Sequence, residues 1–174
     1  SRPTLLKAGA DVTVYNRTRS KAEPLKEFGA KIVDQPAALA DRDIVFTMVA
    51  GPEDLKQVTL GSGGLLTAKQ SPKILIDSST VSEEASIIVR AAAEKKGTSM
   101  LAAPVSGNGK VVKAGKLSVV ASGPKDAYDR ALPYLEALGI GVSYVGEGET
   151  ARMVKICHNV FLGVVAASLA EVTI

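Results

Sequence analysis

The sequence has no tryptophan, one cysteine (Cys157) and one histidine (His158), and aromatic residues make up only 4% of its 174 positions. A single cysteine excludes an intrachain disulfide and a cysteine-based zinc site. It is also compatible with a reducing, cytoplasmic setting, which we expect for this protein. Neither Cys157 nor His158 has a suitable ligand partner nearby in the sequence, so we interpret both as structural and expect no metal site.

Runs of one charge and long apolar runs are missing as well. The 21 Lys and Arg residues are interleaved with 18 Asp and Glu residues, for a net charge of +3. This pattern favours a solvated, slightly basic surface over a nucleic-acid partner. The longest apolar stretch, Val160 to Ala170, is well short of the roughly 18 residues that indicate a membrane span. We therefore expect no nucleic-acid partner and no membrane contact.

Aliphatic residues dominate what is present. The apolar fraction is 46% and the mean hydropathy is +0.17, so the core must be built from Ala, Val, Leu and Ile. Short aliphatic runs alternate with amphipathic segments, which predicts an α/β protein with a doubly wound parallel sheet. Strands are predicted at 11–15, 31–33, 44–48, 73–77, 99–102, 117–121 and 142–145, and helices at 1–8, 19–28, 36–40, 53–60, 82–96, 124–138 (with Pro133 expected to kink or interrupt it) and from 150 onward.

In such sheets, ligands bind beyond the carboxyl ends of the strands. Asn16, Arg17 and Thr18 follow the strand predicted at 11–15. An acidic residue there would bind the adenosine ribose of NAD, whereas a guanidinium pairs with the 2′-phosphate of NADP. This segment therefore predicts NADP in preference to NAD. The alternative is an ordinary polar turn with Thr18 as a helix N-cap.

Two further polar segments follow predicted strands. The hydroxyls of 77–80 could bind the nicotinamide side of a cofactor, although Thr80 and Glu83 also fit a helix capping box. In the turn-rich run 103–109, Ser106 and the neighbouring backbone N–H groups could bind a small carboxylate. The alternative for that run is a plain polar loop.

Lys155 and Asn159 lie four residues apart in the last predicted helix, so they project from one face. A lysine at this edge of the sheet could donate or accept a proton. The alternative is a surface lysine above a helix-packing groove. The same face continues through small residues: Gly163, Ala166, Ala167 and Ala170.

The order of the segments VTVYNRT, IVFTMVAGPED, ILIDSST, APVSGN, GKLSVVASG and ARMVKICHN resembles the β-hydroxyacid dehydrogenase family over essentially the whole chain. That family includes 3-hydroxyisobutyrate dehydrogenase, tartronate semialdehyde reductase and the glyoxylate/succinic semialdehyde reductases. The resemblance implies an NADPH-dependent enzyme acting on a small carboxylate-bearing hydroxyacid or its aldehyde or keto partner. NRT resembles the NADP-preferring members, and SGN resembles the glyoxylate and succinic semialdehyde reductases.

The resemblance also implies roles for individual residues. Lys155 matches the catalytic lysine of the family, and Asn159 matches the asparagine that helps to orient the substrate. The remaining matches are a substrate-carboxylate loop of Ser106, Gly107 and Asn108, a nicotinamide contact at Thr80, a ribose contact at Val49 and Ala50, and a 2′-phosphate site at Asn16, Arg17 and Thr18.

By the same resemblance, residues 1–148 form an NADP-binding Rossmann-like domain and 149–174 begin an all-helical domain. A first strand and Gly-rich turn are expected ahead of Ser1, and homo-oligomerisation is expected of the full-length protein. The chain departs from the family at Ala102, where Asp is frequent, and at Val49-Ala50, which replace Leu-Pro. Two rivals are an imine reductase and a non-catalytic dinucleotide-binding or oligomerisation module, which usually lack the lysine that Lys155 provides here.

Overall fold

The computed structural model describes residues 4–7, 9–107 and 117–172. Short helix α1 (Thr4–Lys7) leads into β1 (Thr13–Tyr15), which pairs in parallel with β2 (Lys31–Val33). The connection between them is helical, as predicted, but it consists of two 3₁₀ segments, Arg19–Lys21 and Glu23–Phe28.

The centre of the molecule is a parallel sheet in the order β3-β4-β5. Helices form the two crossovers within this sheet, as the alternating sequence pattern predicts. The elements are β3 (Ile44–Thr47), α2 (Pro52–Leu60), β4 (Ile74–Asp77), α3 (Glu83–Lys95) and β5 (Ser99–Ala102). Two further 3₁₀ segments, Pro36–Leu39 and Leu65–Thr67, flank β3 and α2.

The last part of the sheet is mixed. It comprises β6 (Val105–Ser106), β7 (Leu117–Ala121), α4 (Lys125–Glu136) and β8 (Gly139–Tyr144), after which α5 (Thr150–Val172) leaves the domain. Strand β7 is parallel to β8 but antiparallel to β6. An antiparallel bridge between Ala102 and Ser122, with two hydrogen bonds of 2.9 Å, joins this part to β5.

Two sequence predictions are corrected here. Val105 and Ser106 were expected in a loop, but they form β6 because their backbone groups pair with Val119 and Ser118. Pro133 does not interrupt α4, which continues to Glu136. Its missing N–H removes one bond of the last turns, and burial of the neighbouring apolar side chains, such as the fully buried Leu135, offsets that loss.

The core lies on both faces of the central sheet. In β4 the side chain of Leu75 packs with Leu55 and Val89 on one face, while Ile74 and Ile76 pack on the other face. These three aliphatic side chains of β4 are fully buried, which is the pattern of a strand covered on both faces. The predicted α/β Rossmann-like fold is therefore confirmed.

Gly123 makes the turn from β7 to α4 possible. Its φ of +134° favours glycine, and a Cβ placed there would lie 2.6 Å from the carbonyl oxygen of Met100. Since a side chain cannot occupy that space, the close approach of this turn to β5 requires glycine.

Helix α5 is packed against the domain at its beginning. Ala151 and Arg152 are its buried residues, while most of its apolar side chains are exposed. Its length and an 18-residue mean hydropathy of 1.6 would allow it to cross a membrane, a test that core helices of soluble proteins also pass. The expectation of no membrane contact therefore stays a prediction.

Candidate functional site

A cleft of about 760 Å³ runs between β1 and β3 and is lined by both strands along their whole length. It is lined at one end by Asn16, Arg17 and Thr18, and across from them by Val49 and Ala50. Strands β1 and β3 are not paired with each other, so part of this space separates two strand edges. The structure thus places the two predicted adenosine-side and ribose-side segments on one cleft.

Arg17 is one of three basic residues that line this cleft, with Lys21 and Arg42. Its side chain is 79% exposed, and Nη1 lies 2.8 Å from Oδ1 of Asp54 in the first turn of α2. An exposed pair of this kind contributes at most about 1 kcal/mol. A phosphate could therefore displace Asp54 from Arg17 at little cost.

The turn that carries Arg17 is held by its neighbours. Asn16 Oδ1 accepts a hydrogen bond of 2.9 Å from the backbone N–H of Thr18. The alternative role of Thr18, side-chain capping of the following helical turn, is not realised. The three side chains are exposed and stand at the mouth of the cleft.

Helix α3 is capped by Ser82, whose Oγ accepts from the N–H of Ala85 at 3.4 Å. The capping box predicted from Thr80 is therefore wrong, because the helix begins two residues later than that pattern requires. Hydrogen bonds from the backbone N–H of Glu84 and from the Ser82 hydroxyl lower the pKa of the Glu84 carboxyl. Thr80 is left exposed at the carboxyl end of β4, outside the lining of the cleft.

Asp77 ties together the ends of β3 and β4. Its Oδ1 accepts hydrogen bonds of 2.7 Å from the hydroxyls of Thr47 and Ser79. Ser79 Oγ in turn accepts a 2.9 Å bond from the backbone N–H of Val49. The backbone beside the cleft is thereby fixed to a fully buried carboxylate.

Arg152, in the first turn of α5, neutralises that carboxylate. Its Nη2 lies 2.6 Å from Asp77 Oδ2, its Nη1 donates to the carbonyl oxygen of Ser79 at 2.9 Å, and its Nε donates to Glu149 at 2.8 Å. Arg152 is only 3% exposed. Removing one partner of such a buried pair typically costs about 3–5 kcal/mol, because a charge is left without compensation.

Arg90 completes a chain of alternating charges that runs from Arg90 through Glu149 and Arg152 to Asp77. Its Nη2 lies 2.6 Å from Glu149 Oε1, and the same guanidinium donates to the carbonyl oxygens of Met100 and Gly148. We did not predict this network from the sequence. The available signal was a carboxylate ending an aliphatic strand and an arginine opening an apolar helix, since buried charges require partners.

Lys155 and Ser106 are brought together by the fold. Lys155 Nζ donates to Ser106 Oγ at 2.8 Å, and both side chains are half-buried. Gly107 follows β6 with a φ of +151°, and Asn108 lies outside the described residues. Asn159 is exposed one turn farther along α5. The pair is a cation and a hydroxyl at the same edge of the sheet as Asp77 and Ser79.

Residues 3–146 match the family described as the NAD binding domain of 6-phosphogluconate dehydrogenase. The chain belongs to this family. Among curated relatives, it is 38% identical over 168 residues to glyoxylate/succinic semialdehyde reductase 2 of Arabidopsis thaliana, covering 96% of this chain and 47% of the relative. It is 34% identical to 3-hydroxyisobutyrate dehydrogenase of Pseudomonas aeruginosa, covering 96% and 56%. These relatives confirm the resemblance to β-hydroxyacid dehydrogenases, and the chain spans about half of their length.

Solved structures agree with this assignment. Mycobacterium tuberculosis 3-hydroxyisobutyrate dehydrogenase with L-serine superposes with a TM-score of 0.87 at 30% identity, over 97% of this chain and 57% of that one. Psf3 in complex with NADP⁺ and 2-OPP gives 0.83 at 30% identity, over 97% and 63%. An imine reductase from Pseudomonas sp. gives 0.81 over 95% and 58%, but at 23% identity this shows the fold alone.

Proposed function

We propose that the protein transfers a hydride between NADPH and a small carboxylate-bearing aldehyde, keto acid or β-hydroxyacid. The observation that carries the proposal is the 2.8 Å contact between Lys155 and Ser106 in a dinucleotide-binding fold. This contact supports Lys155 as the proton donor and Ser106 as a group that binds a polar substrate. The similarity to a glyoxylate/succinic semialdehyde reductase supports the substrate class.

The residues around the cleft fit NADPH. Arg17 offers an exposed guanidinium for the 2′-phosphate, and Asn16 stands beside it in place of a carboxylate that would repel the phosphate. Val49 and Ala50 line the opposite wall, where backbone contact with the ribose is proposed. Thr80 is the proposed contact on the nicotinamide side. Bound NADPH would supply the hydride.

Lys155 is proposed to complete the reaction by moving the proton. In reduction, its ammonium group donates to the carbonyl oxygen as negative charge develops there, and in oxidation the free amine accepts the hydroxyl proton. The hydroxyl of Ser106 accepts from Lys155, so its own hydrogen is free for the substrate carboxylate. Gly107 and Asn108 continue this substrate loop, and Asn159 orients the substrate from the next turn of α5.

We propose the remaining features from the sequence: a cytoplasmic location, homo-oligomerisation of the whole protein, and no nucleic-acid or membrane partner. Reduction of an imine is the rival within the same fold. Lys155 argues against it, because the imine reductases of this scaffold usually replace the lysine. A non-catalytic module is the rival of another class, and the pairing of Lys155 with Ser106 favours catalysis.

The test is calorimetric titration of NADPH and NADH into the protein at its full genomic length, with the 174-residue chain in parallel. Turnover is then screened with glyoxylate, succinic semialdehyde, tartronate semialdehyde and a cyclic imine. Tighter binding of NADPH than NADH together with turnover of an aldehyde supports the proposal. Binding of neither cofactor would favour the non-catalytic module, and turnover of the imine alone would favour the rival enzyme.

A further inference from the structure

The first turn of α5 is attached to the sheet by a small number of polar contacts. The N–H of Ala151 donates to Ser122 Oγ at 3.0 Å, and Arg152 makes three hydrogen bonds to groups that are themselves buried. Among the described residues of α5, these two are the buried ones. The position of Lys155, one turn later, therefore depends on how this turn is held.

We infer that Arg152 is a positioning residue: it fixes the position of Lys155 relative to the backbone that is proposed to bind the cofactor. This inference rests on the proposed function, because it takes Lys155 as the proton donor and Val49 as a cofactor contact. It adds Arg152, Asp77 and Ser79 to the residues on which the reaction depends, although none of them is proposed to touch the reacting atoms.

The path between the two sites is short and continuous. Arg152 binds Asp77 Oδ2 and the carbonyl oxygen of Ser79, Asp77 Oδ1 accepts from the Ser79 hydroxyl, and Ser79 Oγ accepts from the N–H of Val49. Each side-chain group on this path has a defined donor or acceptor role. A shift of the guanidinium must therefore disturb the Ser79 turn, which supports the wall of the cleft.

Geometry explains why this position requires arginine. The planar guanidinium presents donors in a fixed fork, so that one side chain binds two carboxylates and a carbonyl oxygen at once. A lysine carries the same charge on a single atom and cannot satisfy all three acceptors in these directions. Lys155 follows Arg152 by three residues, or about 4.5 Å along the helix axis, so a tilt of this turn moves the amine relative to Ser106.

The experiment compares Arg152→Lys with Arg90→Lys in the protein at its full genomic length. Arg90 is the matched control, because it also binds Glu149 and is largely buried but makes no contact with Asp77 or Ser79. The measurements are kcat with the best aldehyde, the Kd of NADPH by titration, and the melting temperature. Lys155→Ala is assayed alongside.

For Arg152→Lys we expect kcat to fall about 10- to 100-fold, the range that small misplacement of catalytic groups produces, with weaker NADPH binding. For Arg90→Lys we expect a lower melting temperature with kcat and Kd within about twofold of the wild type. If Arg152→Lys does not fold, Ser79→Ala tests the same path, because it cuts the last link to Val49 without removing a charge. It should weaken NADPH binding.

Equal behaviour of Arg152→Lys and Arg90→Lys, with only the melting temperature lowered, would overturn the inference and assign Arg152 a stabilising role alone. In that case an active wild type and an inactive Lys155→Ala would leave the proposed function standing. An inactive wild type, or full turnover by Lys155→Ala, would overturn both.

Discussion

The Nζ atom of Lys155 lies 2.8 Å from the Oγ atom of Ser106, although 48 residues separate them in the sequence. The contact joins the first turns of α5 to the short strand β6. Strand β6 exists because it pairs with β7, and the first turn of α5 is attached to the end of β4 by the ion pair of Arg152 with Asp77. The proposed proton donor and the proposed substrate contact are thus both positioned by the same edge of the sheet.

Replacing Lys155 tests its proposed role in proton transfer. Lys155→Ala should lower kcat by about 10²- to 10⁴-fold, the usual contribution of a positioned acid or base, and leave the Kd of NADPH within about twofold. Steady-state kinetics and cofactor titration provide the two values. Lys155→Arg is the control, because it retains the charge but cannot release the proton, and it should be nearly as slow. Unchanged turnover in Lys155→Ala would end the assignment.

Cofactor preference should depend on Arg17. Arg17→Ala should weaken NADPH binding about tenfold, in line with the loss of roughly 1.4 kcal/mol, and should leave NADH binding nearly unchanged because NADH has no 2′-phosphate. Asp54→Asn removes the carboxylate that competes for Arg17 and should tighten NADPH binding slightly. Parallel titrations with both cofactors measure these effects. Equal weakening of NADPH and NADH by Arg17→Ala would contradict a 2′-phosphate site.

Replacement by alanine should affect the free energy of unfolding differently at two neighbouring serines. The buried Ser78 Oγ has no partner among the described residues, so Ser78→Ala should leave stability unchanged or increase it. Ser79→Ala leaves the partly buried Val49 N–H without its acceptor and removes one of the hydrogen bonds to Asp77, which should cost about 1–3 kcal/mol. Urea unfolding of both variants gives the comparison. A larger loss for Ser78→Ala would show that its hydroxyl is bonded.

The stability of the folded protein at alkaline pH should depend on Tyr128. Burial raises the pKa of the Tyr128 phenol, mainly through desolvation, and its ring centroid lies 4.8 Å from that of Tyr144. The folded state therefore holds this proton more tightly than the unfolded state, so its contribution to stability is complete below pH about 10 and is lost as the pH rises further.

Tyr128→Phe should remove that loss, and urea midpoints at pH about 8 and about 10.5 should differ less than in the wild type. Tyr134→Phe, at an exposed position (41%) of the same helix, should retain the wild-type difference. If Tyr128→Phe retains it as well, another group is responsible for the alkaline loss of stability.

Much of the fold could be predicted because local patterns determine it. The β4 run of Ile74, Leu75 and Ile76 is aliphatic at every position, and burial on both faces of the sheet follows. Gly29 ends its helical segment with a φ of +91°, as expected of a glycine at that position. Asn16, Arg17 and Thr18 were also predicted to lie at a ligand-binding end of the sheet, because ligands bind beyond the carboxyl ends of parallel strands.

Long-range pairing could not be predicted. Strand β6 is two residues long, so the sequence shows no strand periodicity there. Its pairing partners, Ser118 and Val119, lie farther along the chain in β7. The Arg152–Asp77 pair joins residues 75 positions apart, and a single charged residue in a helix gives no indication of its partner. Ser82 and Thr80 are both acceptable N-caps by residue type, so the sequence alone does not distinguish them, and the structure uses Ser82.

Among the residues that the structure describes, the buried ones of α5, Ala151 and Arg152, lie in its first turn, and most of its later apolar side chains are exposed. Val172 lies about 30 Å along the axis from Arg152, whereas Lys155 lies about 4.5 Å from it. A swing of about 10° around the first turn would carry the far end through about 5 Å and move the amine by less than about 1 Å. Since a misplacement of about 1 Å is enough to slow a reaction, whatever packs on the outer turns must restrict the far end of α5 to a few ångströms to keep Lys155 next to Ser106.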